Sequence, residues 1–447
     1  MIQIRTLGLS FALLFSYAAG AQTMAHDIDS LLKTYNREDE FNGTVLAAKN
    51  GSIVLEKGYG YKNTAKKLKN DSATVYQIGS VTKTFTATMI LMLQEQGKLN
   101  VKDPLQKYMP DYPDADKITI EHLLTHTSGI YNYTDDSVFR SRDMFSHQTR
   151  KDLIRVFKDR ITGMEPGAKF SYSNSNYMLL GYIIEDLTGK TYYNALRDMI
   201  LNPLGMTHTG CNFKGLKSAD KATGYFSIAG GTGVTAPFVD SSVSFAAGAI
   251  YSTVEDMYIY AQALLDNKLL RPVDWTMATK VNKENYGYGW MLGEMYGHKS
   301  VGHNGGVHGF VSNFFMVPED RTVVVLLCND MTNDPGNVRR AVTSLLYNKG
   351  FEMPGGKPHI NLSIKAMQEY VGDYELAPGF VIKISLQGNA LVGQVTGQSP
   401  FRLYAERKDL FFLKVVDAQI SFGRKADGKI EKLMLRQNGK IIPGMRK

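Results

Sequence analysis

Residues 80–97 read SVTKTFTATMILMLQEQG. From Val81 to Gln96 the apolar side chains Phe85, Ala87, Met89, Ile90, Leu91, Met92 and Leu93 fall on most faces of a 3.6-residue period, and Gly97 follows as a natural helix stop. A helix that is apolar all round is buried. This one carries a lysine, Lys83, near its start. A buried ammonium is costly unless it is paired or gives up its proton. Ser80 lies three residues earlier, and the i, i+3 spacing puts both side chains on one face. The helix N-terminus adds free N–H groups and favours developing negative charge. A deprotonated Lys83 beside Ser80 is the layout of an activated nucleophile.

The same Ser-x-x-Lys spacing occurs at Ser30/Lys33 and Ser218/Lys221. The first lies in an amphipathic N-terminal segment and the second in a polar loop, so neither offers a desolvated lysine. Two further stretches stand out as partners for Ser80. Tyr172-Ser173-Asn174 follows a turn at Pro166-Gly167, and His303-Asn304-Gly305-Gly306 precedes a strand beginning near Phe310. His122 and His126 read as structural groups near a helix end; His308 is open.

Outward from the Ser80 helix, the β-rich runs 41–49 and 52–60 are joined by Asn50-Gly51, a dipeptide suited to the positive φ angles of a two-residue hairpin. Residues 100–270 are helix-rich, with Ser252-Thr253-Val254-Glu255 as a capping box. Strands return at Phe310–Val317 and Thr322–Cys328, joined by Pro318-Glu319-Asp320, and 337–347 is a closing helix. Residues 349–364, rich in Gly and Pro, are a linker. Beyond it come short alternating runs at 370–375, 380–386, 390–394, 401–405, 410–415, 419–423 and 432–437, the pattern of a small antiparallel barrel or sandwich. The expectation is a mixed α/β unit over 22–348 followed by an all-β unit over 365–447.

The first 21 residues have the form of a signal peptide. Arg5 precedes an apolar run, Leu7 to Ala18, and Ala19-Gly20-Ala21 has the small-x-small pattern of a cleavage site. The run is shorter than the roughly 20 residues of a membrane span. No cysteine precedes Cys211, so no lipid-attachment cysteine is available here. The expectation is a periplasmic or secreted protein with no integral membrane segment and a mature start near Gln22. Cys328 reads as a buried small hydrophobe, and a Cys211–Cys328 disulfide is open after export. No Cys/His spacing suggests a metal, and no cofactor is expected. The net charge is +8, with the lysines scattered and no aromatic-interleaved basic stripe, which speaks against nucleic acid. Oligomeric state is not legible.

Taken in order and spacing, Ser80-Val81-Thr82-Lys83, Tyr172-Ser173-Asn174 and His303-Asn304-Gly305 resemble the three motifs of the penicillin-binding protein and class C β-lactamase superfamily. The flanks are similar to the β-lactamase-related serine hydrolases at 121–130 (EHLLTHTSGI), 171–185 (SYSNSNYMLLGYIIE), 203–206 (PLGM), 247–256 (AGAIYSTVED) and 286–290 (YGYGW). The resemblance covers about residues 25–348. It implies an antiparallel sheet flanked by helices with an all-helical subdomain. Residues 365–447, opening on Tyr370-Val371-Gly372-Asp373-Tyr374, resemble the lipocalin-like β-barrel often appended to such hydrolases.

By position, the resemblance makes Ser80 the nucleophile and Lys83 the acylation base, with Tyr172 as the alternative base that the sequence leaves open. Tyr172, its pKa lowered by Lys83, would pass a proton to the leaving group. Asn174 would bond the lysine or the substrate amide, and His303 would meet a terminal carboxylate. The oxyanion site would lie at the N–H groups of Ser80 and Gly306, beside Gly305. One departure matters. His303 stands where most β-lactamases of the superfamily carry the lysine of Lys-Thr-Gly. A free imidazole is neutral about three-quarters of the time at pH 7, which weakens the case for strong β-lactam hydrolysis. The implied function is an exported hydrolase of peptides, amides or esters, with a D-amino-acid-containing, cell-wall-derived peptide as the natural substrate. The alternatives are a β-lactamase and a penicillin-binding sensor that acylates without turnover.

Overall fold

The computed structural model describes residues 22–160, 162–351, 360, 362–387, 390–396, 400–413, 416, 418–437 and 439–447. The expected signal peptide, 1–21, lies outside the described residues, as does most of the expected linker.

The first unit is built on a six-stranded antiparallel sheet. Its order across the sheet is Ser52–Tyr59, Gly43–Lys49, Thr322–Cys328, Phe310–Val317, His298–Val307 and Met291–Met295. The Asn50-Gly51 hairpin forms as expected, with φ of 51° and 73°. Gly43–Lys49 also pairs with Thr322–Cys328, Val45 opposite Leu326. Strands nearly three hundred residues apart are thus neighbours, and the helix-rich middle of the chain is one long excursion between them.

The VVVLL run of Thr322–Cys328 is buried along its whole length because both sheet faces are covered. On one face a helix over 22–37 and the helix Pro335–Leu346 pack Ile28, Leu31, Leu32, Val338 and Val342 against Val324 and Leu326. On the other the helix Thr82–Glu95 contributes Phe85, Met89 and Ile90 to the main core, with Val323, Val325 and Leu327. The threonines of that helix are tolerated inside because their hydroxyls find acceptors. Thr84 Oγ1 donates to Val81 O at 2.8 Å, Thr86 Oγ1 to Ala246 O at 2.7 Å, and Thr88 Oγ1 sits 2.9 Å from the Tyr260 hydroxyl.

The second unit is a closed barrel of eight antiparallel strands. Seven correspond to the alternating runs; the eighth, Lys440–Arg446, contains Pro443 and Gly444, residues that argue against a strand by propensity. Here it closes the barrel against Ile430–Gln437 and Gly372–Ala377, and barrel closure overrides propensity. Arg402 of the barrel pairs with Asp39 at 2.9 Å, and Ser227 Oγ donates to Gln387 Oε1 at 2.9 Å, so the two units touch.

One local expectation is corrected and one open point is answered. The helix Val254–Leu265 is capped by Thr253, whose Oγ1 accepts from Asp256 N at 3.2 Å. Ser252, expected as the cap, is held in a strand pairing with Tyr76. Cys211 and Cys328 are free thiols, so the disulfide left open by the sequence is not formed.

Candidate active site

Ser80 sits in a single 3-10 turn, Gly79–Val81, that leads into the helix Thr82–Glu95. The turn is pressed against the strand His298–Val307. A Cβ on Gly79, which has φ +52°, would lie 2.6 Å from Gly306 N, and one on Gly305 would lie 2.0 Å from Ile78 O. Both positions must be glycine for the two backbones to meet. Ser312 Oγ fastens the seam by donating to Ile78 O at 2.8 Å. Gly306 is thereby held one residue from Ser80, where the sequence placed the oxyanion donors.

Lys83 is fully buried and its Nζ has three oxygen neighbours: Ser80 Oγ at 3.0 Å, Asn174 Oδ1 at 2.8 Å and Ala247 O at 2.8 Å. No carboxylate is among them. Burial drives its pKa well below the ordinary lysine value. A neutral amine has two N–H groups and one lone pair. Asn174 Oδ1 and Ala247 O are acceptors only, so they take the two N–H groups. In that state the lone pair is left on the side of Ser80 Oγ, where it can take the hydroxyl proton. The rival Ser-x-x-Lys pair at Ser30/Lys33 has its lysine in solvent, paired with Asp29 at 2.9 Å.

Tyr172 completes the triangle. Its phenol is hydrogen-bonded to Ser80, and Lys83 Nζ lies 4.9 Å from its ring centre. Burial raises the phenol's pKa. The sequence expectation was the reverse. It counted only the nearby lysine and left out the desolvation of the phenol itself. Tyr172→Phe, which keeps the ring and removes the proton, is expected to lower kcat/KM about 100-fold or more with Tm almost unchanged; steady-state kinetics and a melting curve on one preparation check this.

His303 also departs from expectation. Its ring is buried. Nδ1 contacts Asn304 O at 2.6 Å and Nε2 the Tyr286 hydroxyl at 3.0 Å. Burial lowers its pKa to about 3. Nδ1–H donates to the carbonyl and Nε2 accepts from the phenol, so no free polar atom or positive charge remains to meet a substrate carboxylate. His303 braces the floor of the site.

His126 was read as a helix-end group, and the structure brings it here. Its ring centre lies 4.2 Å from that of Tyr172, and Nδ1 accepts from Ser173 N at 3.1 Å. The positive φ of 56° that turns it inward carried no signal in the sequence, since histidine rarely adopts that conformation. His122 does serve the helix end, completing a capping box with Thr119. His308 lies between Phe145 and Phe226, with ring centres 5.6 and 5.8 Å away. Among the described residues no cluster of His, Cys, Asp or Glu is suited to a metal, and no helix is long and apolar enough to cross a membrane.

Comparison with known proteins agrees with this geometry. Residues 28–348 match the beta-lactamase family, which is most of the chain. The chain belongs to the beta-lactamase family. It is a serine hydrolase of the penicillin-binding-protein-like kind. Residues 357–443 match a domain of unknown function (DUF3471). Among its relatives in the beta-lactamase family is the teichoic acid D-alanine hydrolase of Staphylococcus aureus (strain MRSA252), 30% identical over 72% of this chain and 79% of that protein. The octameric penicillin-binding protein homologue from Pyrococcus abyssi superposes with a TM-score of 0.66 at 25% identity, over 94% of this chain and 99% of that one. D-amino acid amidase from Ochrobactrum anthropi SV3, complexed with D-phenylalanine, superposes with a TM-score of 0.63 at 25% identity, over 73% and 99%.

Proposed function

We propose that this chain is an exported serine hydrolase that forms an acyl-enzyme on Ser80 and cleaves amide or ester bonds of D-amino acids. The observation that carries the reading is the fully buried Lys83 Nζ, with no carboxylate beside it, 3.0 Å from Ser80 Oγ. In acylation Lys83 takes the Ser80 proton while Oγ attacks the substrate carbonyl. The oxyanion is met by the N–H groups of Ser80 and Gly306, each such donor contributing about 3 kcal/mol. As the C–N or C–O bond breaks, Tyr172, protonated at neutral pH, gives its proton to the leaving group and is resupplied by the Lys83 ammonium. Water then attacks the ester, and Ser80 regains its proton.

The saturated, neutral His303 narrows the substrate. A peptide ending in a free carboxylate would leave that charge facing no cation at the third motif, whereas an amide or ester brings none. Two relatives are named teichoic acid D-alanine hydrolase and D-amino acid amidase, which supports the same class. Export rests on the apolar run and the Ala19-Gly20-Ala21 site.

A panel of D-alanine amide, D-alanine methyl ester, a peptide ending in D-Ala-D-Ala and nitrocefin, run on pure protein, tests this. The amide or the ester is expected to be turned over at least tenfold faster, in kcat/KM, than the peptide and nitrocefin. Turnover of nitrocefin at the rate of a good lactamase overturns the substrate assignment. A stable penicillin adduct without hydrolysis of any panel member points to the sensor instead.

A further inference from the structure

The argument that Lys83 turns its lone pair toward Ser80 requires Asn174 to present oxygen, not nitrogen, to the amine. An asparagine amide has both, nearly equal in shape. If it flipped, Nδ2–H would donate to the Lys83 lone pair and the amine would present N–H to Ser80, the wrong polarity for a base.

The partners that settle this lie on the loop before and within the 3-10 turn Tyr133–Asp135. Asn174 N, at the start of the helix Asn174–Thr188, donates to Asn132 Oδ1 at 3.0 Å. A backbone N–H meets only an acceptor, so the Asn132 amide has its oxygen on this side. Asn132 Nδ2 on the other side donates to Asp135 Oδ1 at 3.0 Å, which fixes the same orientation independently. Thr134 Oγ1 lies 3.0 Å from Asn132 Oδ1 and can only donate to it. Its one proton is then used, so Thr134 can only accept from Asn174, and Asn174 Nδ2 donates to it at 3.0 Å. The remaining end of Asn174 is Oδ1, which faces Lys83.

We infer that Asn132 and Thr134 are positioning residues: their hydrogen-bond ring with Asn174 fixes the amide of Asn174, and through it the direction of the Lys83 lone pair. Neither touches Ser80 or Lys83. The inference rests on Lys83 being the base.

The test is the pair Thr134→Val and Thr134→Ser in the full chain, with the pH dependence of kcat/KM measured on the best ester or amide substrate. Valine keeps the shape and removes the hydroxyl; serine keeps the hydroxyl. Thr134→Val is expected to lose about 10- to 30-fold in kcat/KM, a loss of the order seen when one buried hydrogen bond is left unmade, and Thr134→Ser to recover to within about threefold of the wild type. The acid limb of the profile reports Lys83 losing its proton. An acceptor oxygen stabilises the ammonium form and a donor does not, so in Thr134→Val that limb moves to lower pH. A structural defect alone would lower the plateau and leave the limb in place.

An unmoved limb with activity near that of the wild type in Thr134→Val overturns the inference, as does a serine variant no better than the valine one. If Lys83→Met retains normal acylation, the base assignment fails first and the ring loses its object. If Lys83→Met is dead while Thr134→Val matches the wild type, the ring alone is wrong.

Discussion

Ser80→Ala is expected to lower kcat about 10⁶-fold, the scale on which a serine hydrolase loses its nucleophile. The hydroxyl has no substitute nearby. Of the groups around it, Lys83 is already engaged with two carbonyl oxygens, and Tyr172 holds its proton because burial raises its pKa. The variant is also expected to give no covalent adduct with a fluorophosphonate probe, read as intact mass. Its fold should persist, since Ser80 lies at the site surface and contributes no apolar packing. An undiminished adduct would place the nucleophile elsewhere and end the mechanism proposed above.

Lys83→Met carries the second large effect and separates catalysis from stability. Acylation is expected to fall about 10³- to 10⁴-fold, the upper range for a lost general base. Stability is expected to move the other way. Burial pushes the folded-state pKa of Lys83 well below the ordinary value, whereas in the unfolded chain it stays protonated up to about pH 10.4. Between those two values the unfolded state binds one more proton, so the wild type gains stability as pH rises, by up to about 1.4 kcal/mol per pH unit from this group. Methionine removes that slope and fills similar volume. The variant should therefore melt above the wild type at pH 7, with the gap closing toward pH 10. Melting curves at several pH values give the answer. A variant that melts lower at pH 7 with an unchanged slope means that Lys83 is charged when folded. A variant that acylates at the normal rate means that another group is the base.

The two effects share one cause. The site keeps an amine in a place where a folded protein would rather have a hydrocarbon, and the instability is the condition that leaves the amine able to take a proton.

Much of this was legible before any coordinates. The run from Phe85 to Leu93 is too apolar to face water on any side, so its helix had to be buried, and Lys83 on it had to give up its proton. The continuous β-branched and apolar runs of Thr322–Cys328 and Phe310–Val317 and the Asn50-Gly51 turn specified the sheet segments closely. The failures have particular reasons. The strand Lys440–Arg446 was missed because Pro443 and Gly444 mask it, and a closed barrel holds it in spite of them. The tyrosine shift was given the wrong sign because the phenol's own burial is set by tertiary packing, which no local pattern shows.

What the sequence determined by itself is which residues are candidates for the chemistry and the buried helix at whose start two of them lie: periodicity and residue type are local properties, readable at spacings of three or four. What only the tertiary structure decided is the state and direction of those groups. His303 proved to be saturated by Tyr286 and its own neighbour's carbonyl, His126 came to lie under Tyr172, and Asn132 and Thr134 closed a ring on Asn174. Protonation and hydrogen-bond polarity depend on desolvation and on partners brought from distant parts of the chain. No pattern along the chain encodes them.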